Sequence, residues 1–117
     1  DECVIISGHL NGLLQFFICQ MDGIIPTLEN SKSSQINSIY QSKITTIQNI
    51  SNERVATSSE LESIIIWKIN SNGMVKLIQL QDSLQIHSLI LHPEGYLIGH
   101  NTSNELNLWN INDNWKK

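Results

Sequence analysis

The sequence predicts an all-β protein made of short antiparallel strands, and two observations support this. Short apolar runs alternate with Gly, Pro and Asn turn signals along most of the 117 residues. The clearest stretch is Ile86 to Trp109, where three apolar runs are separated by the turn His92-Pro93-Glu94-Gly95 and a polar segment from His100 to Asn104. Tight connections of this kind join strands into an antiparallel meander.

Composition and charge argue against several classes of function. Charged residues make up 15% of the chain and the net charge is −4, whereas nucleic-acid binding needs a basic patch. No apolar run approaches the roughly 20 residues that span a bilayer, and Asp1 opens no signal peptide, so we expect a cytoplasmic or nuclear protein. Cys3 and Cys19 are too few for a disulfide scaffold or a zinc site and are expected to be buried thiols.

An internal repeat is the strongest feature of the sequence. Phe17, Trp67 and Trp109 each close an apolar run, and they lie 50 and 42 residues apart. A small residue precedes each aromatic by ten positions, namely Ser7, Thr57 and Gly99. Two further runs, beginning at Ile44 and Ile86, are again 42 residues apart. A period near 42 with short strands is typical of a unit of about four strands.

With this repeat the chain resembles the WD-repeat family of β-propellers over nearly its whole length. His92-Pro93-Glu94-Gly95 stands where the family turns from its first to its second strand, and Ser7-Gly8 stands at a second-strand end. Trp67 and Trp109-Asn110 lie near third-strand ends, where the family often has Trp-Asp. The resemblance implies a propeller segment of four-stranded blades, with about two and a half to three blades present.

The chain also departs from the family pattern. The Gly-His that precedes the first strand of a regular repeat is absent, because Gly8-His9 and Gly99-His100 follow second strands instead. Asn11, Glu60 and Asn104 lie near the position of the family's turn Asp. We therefore expect the buried hydrogen-bond network of regular repeats to be incomplete in this chain.

Residues 1–41 are predicted to form a partial blade that begins with its second strand. Its elements are a second strand from Cys3 to Ser7, a hairpin turn through Asn11-Gly12, a third strand from Leu13 to Cys19, a long loop at about 21–34 and an outer strand from Ile36 to Tyr40. Ile24-Ile25-Pro26 competes for the place of the outer strand, but Pro favours an edge or a loop.

Residues 42–83 are predicted to form a complete blade with a turn at Asn72-Gly73. Its strands are Ile44 to Ile50, Arg54 to Ser58, Ser63 to Ile69 and Met74 to Leu80. The run from Ile64 to Trp67 is apolar on both faces, which is typical of a strand covered on both sides.

Residues 84–117 are predicted to hold the last blade, with strands one to three and a C-terminal tail. Complete propellers have roughly four to eight blades. The expectation is therefore the C-terminal part of a larger propeller, or one chain of a ring that another chain completes. Trp115 in the tail either packs under the blade or anchors a partner.

The histidines do not predict a metal site, which would need three or four converging ligands. His9 and His100 lie at corresponding turns, and His92 belongs to the strand-turn motif. His87 lies in a first strand, the strand nearest a propeller axis, and is a candidate to line the channel. The repeat gives structural roles to nine positions: Ser7, Phe17, Thr57, Trp67, His92, Pro93, Gly95, Gly99 and Trp109.

The predicted function is a non-catalytic protein–protein interaction scaffold in a multi-subunit complex, with no metal or cofactor. Its partners would be other protein subunits or the remaining blades of the same propeller. The candidate partner-binding residues lie in turns on one face: Ser42, Lys43, Glu60, Glu62, Gln85 and Asn104. The alternative is a ligand-binding or enzymatic propeller with its site in the central channel, where only His87 and Thr45-Thr46 offer polar groups.

Overall fold

The computed structural model describes residues 2–22, 25–36, 40–70, 73–80 and 83–116, and this part of the chain is all-β, as predicted. Its ten strands form three antiparallel sheets, and each sheet is built from strands that follow one another along the chain. The 3₁₀ turn Ile111–Asp113 is the one helical element among these residues. No helix in the described part of the chain has the length and hydropathy needed to cross a bilayer.

Sheet I contains three strands in chain order: β1 (Glu2–Gly8), β2 (Leu14–Asp22) and β3 (Ile25–Ile36). The predicted hairpin turn joins β1 to β2. In it the Gly12 amide donates to the His9 carbonyl oxygen (3.1 Å), and the Leu13 amide donates to Asn11 Oδ1 (3.2 Å). Gly12 has φ +84°, and a Cβ at this position would collide with the carbonyl oxygen of Tyr40. Glycine is therefore required at this turn.

The predicted loop at 21–34 is wrong, because most of that segment forms strands. β2 continues to Asp22, and β3 begins at Ile25 and forms the outer edge of the sheet. An edge strand is paired on one side only, so a polar segment that begins with Ile25-Pro26 can form one. Of the predicted outer strand from Ile36 to Tyr40, Ile36 is the last residue of β3 and Tyr40 lies in no strand. Ile24 and residues 37–39 lie outside the described residues.

Sheet II contains four strands in chain order: β4 (Ile44–Ser51), β5 (Arg54–Ser59), β6 (Ile65–Asn70) and β7 (Gly73–Gln79). These bounds confirm the predicted strands of the middle segment to within one or two residues. Asn72 of the predicted turn lies outside the described residues. β6 and β7 have 6 and 7 residues, against 9 and 12 in β2 and β3, and this difference accounts for the longer first spacing of the repeat.

Sheet III contains three strands in chain order: β8 (Ile86–His92), β9 (Tyr96–Asn101) and β10 (Leu106–Asn110). The predicted turn between β8 and β9 is confirmed, since the Gly95 amide donates to the His92 carbonyl oxygen (3.0 Å) and Gly95 has φ +95°. After β10 the chain folds back, and the Asn110 amide donates to the Lys116 carbonyl oxygen (2.8 Å) at the outer edge of the sheet.

One hairpin in each sheet has the same strand register. The aromatic residue stands opposite the aliphatic residue twelve positions earlier, in the pairs Ile5–Phe17, Val55–Trp67 and Leu97–Trp109. The small residue ten positions before each aromatic therefore lies two residues further along the neighbouring strand, on the same side of the sheet. These small residues are Ser7, Thr57 and Gly99. The predicted repeat is thus present in the backbone pairing.

Two hydrophobic cores lie between the sheets, one on each side of sheet II. The core between sheets I and II contains Leu14, Tyr40, Val55, Ile65, Trp67 and Ile69. The core between sheets II and III contains Ala56, Ile64, Ile66, Leu80, Ile86, Leu89, Leu97 and Trp109. Residues 64–67 therefore alternate between the two cores, which confirms that this run is covered on both faces. Trp115 is partly buried against the second core, so the packing role predicted for it is confirmed.

A buried hydrogen-bond network surrounds Thr57 in the first core. The Trp67 Nε1–H donates to Thr57 Oγ1 (2.8 Å), and the Tyr40 hydroxyl lies 3.0 Å from the same oxygen and 2.8 Å from the Thr57 carbonyl oxygen. Burial raises the pKa of the Tyr40 phenol well above its ordinary value, against the lowering effect of its hydrogen bonds. In sheet III the place of Thr57 is taken by Gly99, which leaves room for the Trp109 ring, 3.0 Å from where a Cβ would lie.

Candidate functional site

The predicted partner-binding residues lie at one end of sheets II and III. Two precede β4, two lie in the connection between β5 and β6, one precedes β8 and one lies in the turn between β9 and β10; in that order they are Ser42 and Lys43, Glu60 and Glu62, Gln85, and Asn104. Strand ends that pair across each sheet place these segments side by side, because Ile44 pairs with Ser59 and Ile86 pairs with Asn101. The structure therefore brings the predicted surface together on one end of the molecule.

Glu62 holds the segment that leads into β4. Its Oε1 accepts hydrogen bonds from the Gln41 amide (2.7 Å), the Ser42 amide (3.0 Å) and the Ser42 hydroxyl (2.9 Å), with the Ser59 hydroxyl at 3.4 Å. Burial raises the pKa of this carboxyl, but the hydrogen bonds to the charged form outweigh it, and the pKa lies below its ordinary value. Glu62 and Ser42 therefore bind each other.

Lys43 and Glu60 form an exposed ion pair in front of this segment. Lys43 Nζ lies 3.8 Å from Glu60 Oε2, and both side chains are about half exposed, at 50% and 53%. The Glu60 amide also donates to the Lys43 carbonyl oxygen (2.9 Å), which ties the connection between β5 and β6 to the start of β4. An exposed ion pair of this length contributes little to stability. A partner could therefore separate the two charged groups at little cost in free energy.

A cleft of about 430 Å³ opens between sheets II and III at this end. We call it the II–III cleft, and its lining residues are Lys43, Ile44, Thr45, Glu60, His87 and Thr102. It therefore combines two of the predicted partner-binding residues with His87 and Thr45, which were candidates for the alternative channel site.

Equivalent irregularities in β4 and β8 place Thr45 and His87 at this cleft. The register of β4 with β5 skips Thr45, and the register of β8 with β9 skips His87, 42 residues later. Bulges of this kind reorient a side chain, and they are common beside functional sites. The two residues differ in what they offer: Thr45 Oγ1 donates to the Ile86 carbonyl oxygen (2.8 Å), whereas the His87 ring contacts the His100 ring edge-on, with centroids 4.5 Å apart.

Gln85 and Asn104 lie beside the cleft and are bound within sheet III. Thr102 donates to Gln85 through its amide (3.1 Å, to the carbonyl oxygen) and its hydroxyl (3.0 Å, to Oε1). Asn104 Oδ1 lies 3.2 Å from His100 Nε2. Both residues adopt positive φ angles, 59° for Gln85 and 64° for Asn104, so their first role is to shape these turns.

Thr102 and Ser58 are contributors that the sequence did not single out. Thr102 lines the cleft, but in the sequence it is one of several polar residues in a turn. Its residue type therefore does not distinguish it from its neighbours. The Ser58 hydroxyl is buried and lies 3.0 Å from Thr45 Oγ1 and 3.3 Å from the Ile86 carbonyl oxygen, so it helps to join sheet II to sheet III. A serine in a strand gives no local indication of a contact with a residue 28 positions away.

The described residues contain no group of three or more His, Cys, Asp or Glu side chains placed to hold a metal ion. His9 contacts Ser7 Oγ (3.2 Å), and His92 Nδ1 accepts from the Glu94 amide (3.1 Å), so each takes part in its own turn. Cys3 and Cys19 stand directly opposite each other in the register of β1 and β2.

No protein-family model matches this chain, and neither a curated protein nor a solved structure shows significant similarity to it. The geometry of the sheets and of the II–III cleft therefore supplies the grounds for a function.

Proposed function

We propose that the chain is part of a β-propeller of the WD-repeat type and acts as a non-catalytic protein–protein interaction scaffold. Sheets I, II and III would be consecutive blades, with further blades supplied by the same protein or by another subunit of a complex. The observation that carries the proposal is the face-to-face stacking of three antiparallel sheets that share one hairpin register. Propellers are built by repeating small antiparallel sheets in this way.

The neighbouring inner strands support this arrangement. β4, the first strand of sheet II, contacts both β8 and β1, and it lies close to β1 at Gly8, where a Cβ would be 2.5 Å from Ile44 Cγ2. In a propeller β4 and β8 would line the central axis, and the II–III cleft would open beside the channel mouth. The turns that surround this mouth are the usual place for functional groups on a rigid β scaffold.

The chemistry of the II–III cleft suits a polar segment of a protein partner. Lys43 and Glu60 present both signs of charge, and His87 and Thr102 add hydrogen-bonding side chains. Mixed polar surfaces of this kind are typical of the rims of protein interfaces. A partner segment that carries a carboxylate and a basic group would bind Lys43 and Glu60 in place of their mutual ion pair.

The alternative, a ligand site in the channel, is favoured by one observation. The bulge in β8 presents His87 to the II–III cleft with its ring exposed. Thr45 adds little to such a site, because its hydroxyl is already bonded to the Ile86 carbonyl oxygen. The protein-interaction function is therefore better supported than the ligand site.

The test is partner capture with a cleft variant, K43A/E60A/H87A, which removes the exposed groups and leaves the Glu62 cluster intact. Proteins that co-purify with the wild-type chain are quantified by mass spectrometry. We expect the specific partners to fall by at least about tenfold with the cleft variant, which corresponds to about 1.4 kcal/mol of binding free energy.

The matched control is R54A/K68A, which removes charges from a groove at the other end of sheet II, where β4 turns into β5. This variant should retain the partners. Equal capture by the cleft variant would contradict the assignment of the surface. An absence of protein partners, together with a small molecule that raises the melting temperature of the wild type and not of His87→Ala, would favour the ligand site.

A further inference from the structure

A second groove lies at the end of sheet II that is opposite to the II–III cleft. It has a volume of about 510 Å³, and its lining residues are Ser51, Asn52, Glu53, Arg54 and Lys68. We call it the Arg54–Lys68 groove, after its two basic residues. It is built from the turn between β4 and β5 and from β6, in the sheet that has a hydrophobic core on each side. Grooves of this size are typical of sites for small molecules.

Two positive charges stand side by side in this groove. Arg54 on β5 pairs directly with Lys68 on β6, and residues paired in this way have Cβ atoms roughly 5 Å apart. Lys68 is exposed, whereas Arg54 is partly buried. The ion pair within the described part of the chain joins Lys43 to Glu60, so no described carboxylate pairs with either cation of the groove.

The repeat does not require charges at these positions. The equivalent register pair is Val4–Ile18 in sheet I and Tyr96–Asn110 in sheet III. Like charges that stand directly opposite each other on paired strands are destabilising. Sheet II therefore contains an unfavourable pair that the other two sheets lack, and local conflicts of this kind are typical of functional sites.

Contacts within the hairpin hold the groove in shape. The Arg54 Nε–H donates to Ser51 Oγ (3.3 Å), which orients the guanidinium and leaves its two terminal nitrogens without a hydrogen bond to another described residue. The turn itself is fixed to β6, because the Ile69 amide donates to the Glu53 carbonyl oxygen (2.6 Å). An oriented Arg fork thus stands beside an exposed ammonium group.

These groups match a phosphate monoester in charge and geometry. Arg binds phosphate oxygens through two parallel N–H groups and Lys binds them as a point charge, so one phosphate dianion would balance both cations. The other lining side chains are a hydroxyl, an amide and a carboxylate, from Ser51, Asn52 and Glu53. A carboxylate repels phosphate but accepts hydrogen bonds from hydroxyl groups. Glu53 therefore favours a phosphate that is carried by a hydroxyl-bearing molecule.

We propose that the Arg54–Lys68 groove binds the phosphate monoester of a small hydroxyl-bearing molecule. Arg54 and Lys68 bind the phosphate, and Asn52 and Glu53 bind the hydroxyl groups of the molecule that carries it. The groove and the II–III cleft lie at opposite ends of sheet II. This ligand site is therefore separate from the proposed capture of protein partners.

The experiment follows the amide NMR signals of the isotope-labelled chain during titration with glycerol phosphate, inorganic phosphate or glycerol. We expect glycerol phosphate to shift the signals of residues 51–54 and of Lys68, with a Kd on the order of 1 mM. Inorganic phosphate should shift the same signals with roughly tenfold lower affinity, because it lacks the hydroxyl groups. Glycerol alone, which has no charge for the two cations, should leave these signals unchanged over the same concentrations.

Single substitutions separate the two parts of the site. Arg54→Ala and Lys68→Ala should each weaken the binding of both phosphate compounds by about tenfold or more. Lys68 is exposed, so its substitution leaves the fold intact. Glu53→Ala should lower the affinity for glycerol phosphate to that for inorganic phosphate, without weakening inorganic phosphate. Lys76→Ala is the matched control and should bind like the wild type, because Lys76 pairs with Trp67 and so lies on the other side of sheet II.

Four outcomes would contradict the proposal. Glycerol phosphate that leaves residues 51–54 and Lys68 unshifted would overturn the site, and equal weakening by Lys76→Ala would reduce it to a general effect of charge. Equal affinities of the wild type for the two phosphate compounds would contradict the hydroxyl-bearing ligand. Loss of the co-purifying partners in R54A/K68A would assign the groove to a protein instead of a small molecule. Failure of the cleft variant to lose partners, in contrast, would overturn the scaffold surface alone.

Discussion

At the scale of single residues, Thr57 is the centre of the described polar network inside the core. The residue is fully buried, its hydroxyl accepts from the Trp67 indole, and the Tyr40 hydroxyl lies against it. All buried side-chain nitrogen and oxygen atoms in the described part of the chain have a hydrogen-bond partner. A change at Thr57 would therefore introduce an unpaired donor where the described residues have none.

Thr57→Val tests this role with little change in side-chain shape. The substitution leaves the Trp67 N–H buried without its acceptor, so we expect it to lower the free energy of unfolding by about 1–3 kcal/mol. Thr102→Val is the control, because the Thr102 hydroxyl is exposed, and its loss should change stability by less than about 0.5 kcal/mol. Urea denaturation followed by tryptophan fluorescence measures both. Equal effects of the two substitutions would contradict the network.

At the scale of elements, one carboxylate organises the entry into sheet II. Glu62 lies in the connection between β5 and β6, yet its hydrogen bonds go to Gln41 and Ser42, which immediately precede β4. The two connections at this end of sheet II are therefore held as a unit. Lys43 and Glu60, which form an ion pair, belong to the same two connections. The position of these predicted partner-binding charges therefore depends on the ionised Glu62.

This dependence predicts a loss of stability in acid. The pKa of Glu62 is lower in the folded protein than its ordinary value of 4.5, so its contribution is present above pH 4.5 and is lost as the pH falls through the folded pKa. The free energy of unfolding of the wild type should therefore fall as the pH drops below about 4.5, and Glu62→Gln should reduce that fall. Urea titrations at several pH values measure it. Glu60→Gln is the control, because its exposed carboxylate forms a single long ion pair, and it should keep the wild-type pH dependence.

At the scale of the whole molecule, sheet II joins the two hydrophobic cores. Its central strands β5 and β6 supply residues to both, whereas the side chains of the edge strand β7 are mostly exposed from Val75 to Gln79. Loss of sheet II would therefore open both cores at once. Local unfolding should begin at edges and leave the centre of sheet II to the last.

Native-state hydrogen exchange tests this order. We expect the amides of β5 and β6 to be the slowest to exchange, since opening them requires loss of both cores. Amides of β7 should exchange faster, because this strand pairs on one side only. Equal protection of β6 and β7 would show that sheet II opens as one unit. Peptide-resolved mass spectrometry distinguishes the strands.

The sequence by itself determined the strands of sheets II and III and the repeat that relates them. Apolar runs and turn residues such as Pro93 and Gly95 act within a few residues of themselves, so they can be read locally. The spacing of Phe17, Trp67 and Trp109 predicted the repeat, and the structure shows it as one hairpin register shared by the three sheets. The same repeat predicted that the candidate partner-binding residues lie in turns on one face of the molecule.

Only the tertiary structure decided which polar residues act together. β3 is a strand because β2 pairs with it, and its own polar sequence carries no alternation that indicates this. Tyr40, Glu62 and Ser58 meet partners 17, 21 and 28 residues away, and such contacts depend on how sheets and turns pack. The II–III cleft likewise exists because sheet III lies against sheet II, and this brings Lys43 and His87 to one opening. Local patterns fix strands and faces, and packing between sheets fixes the site.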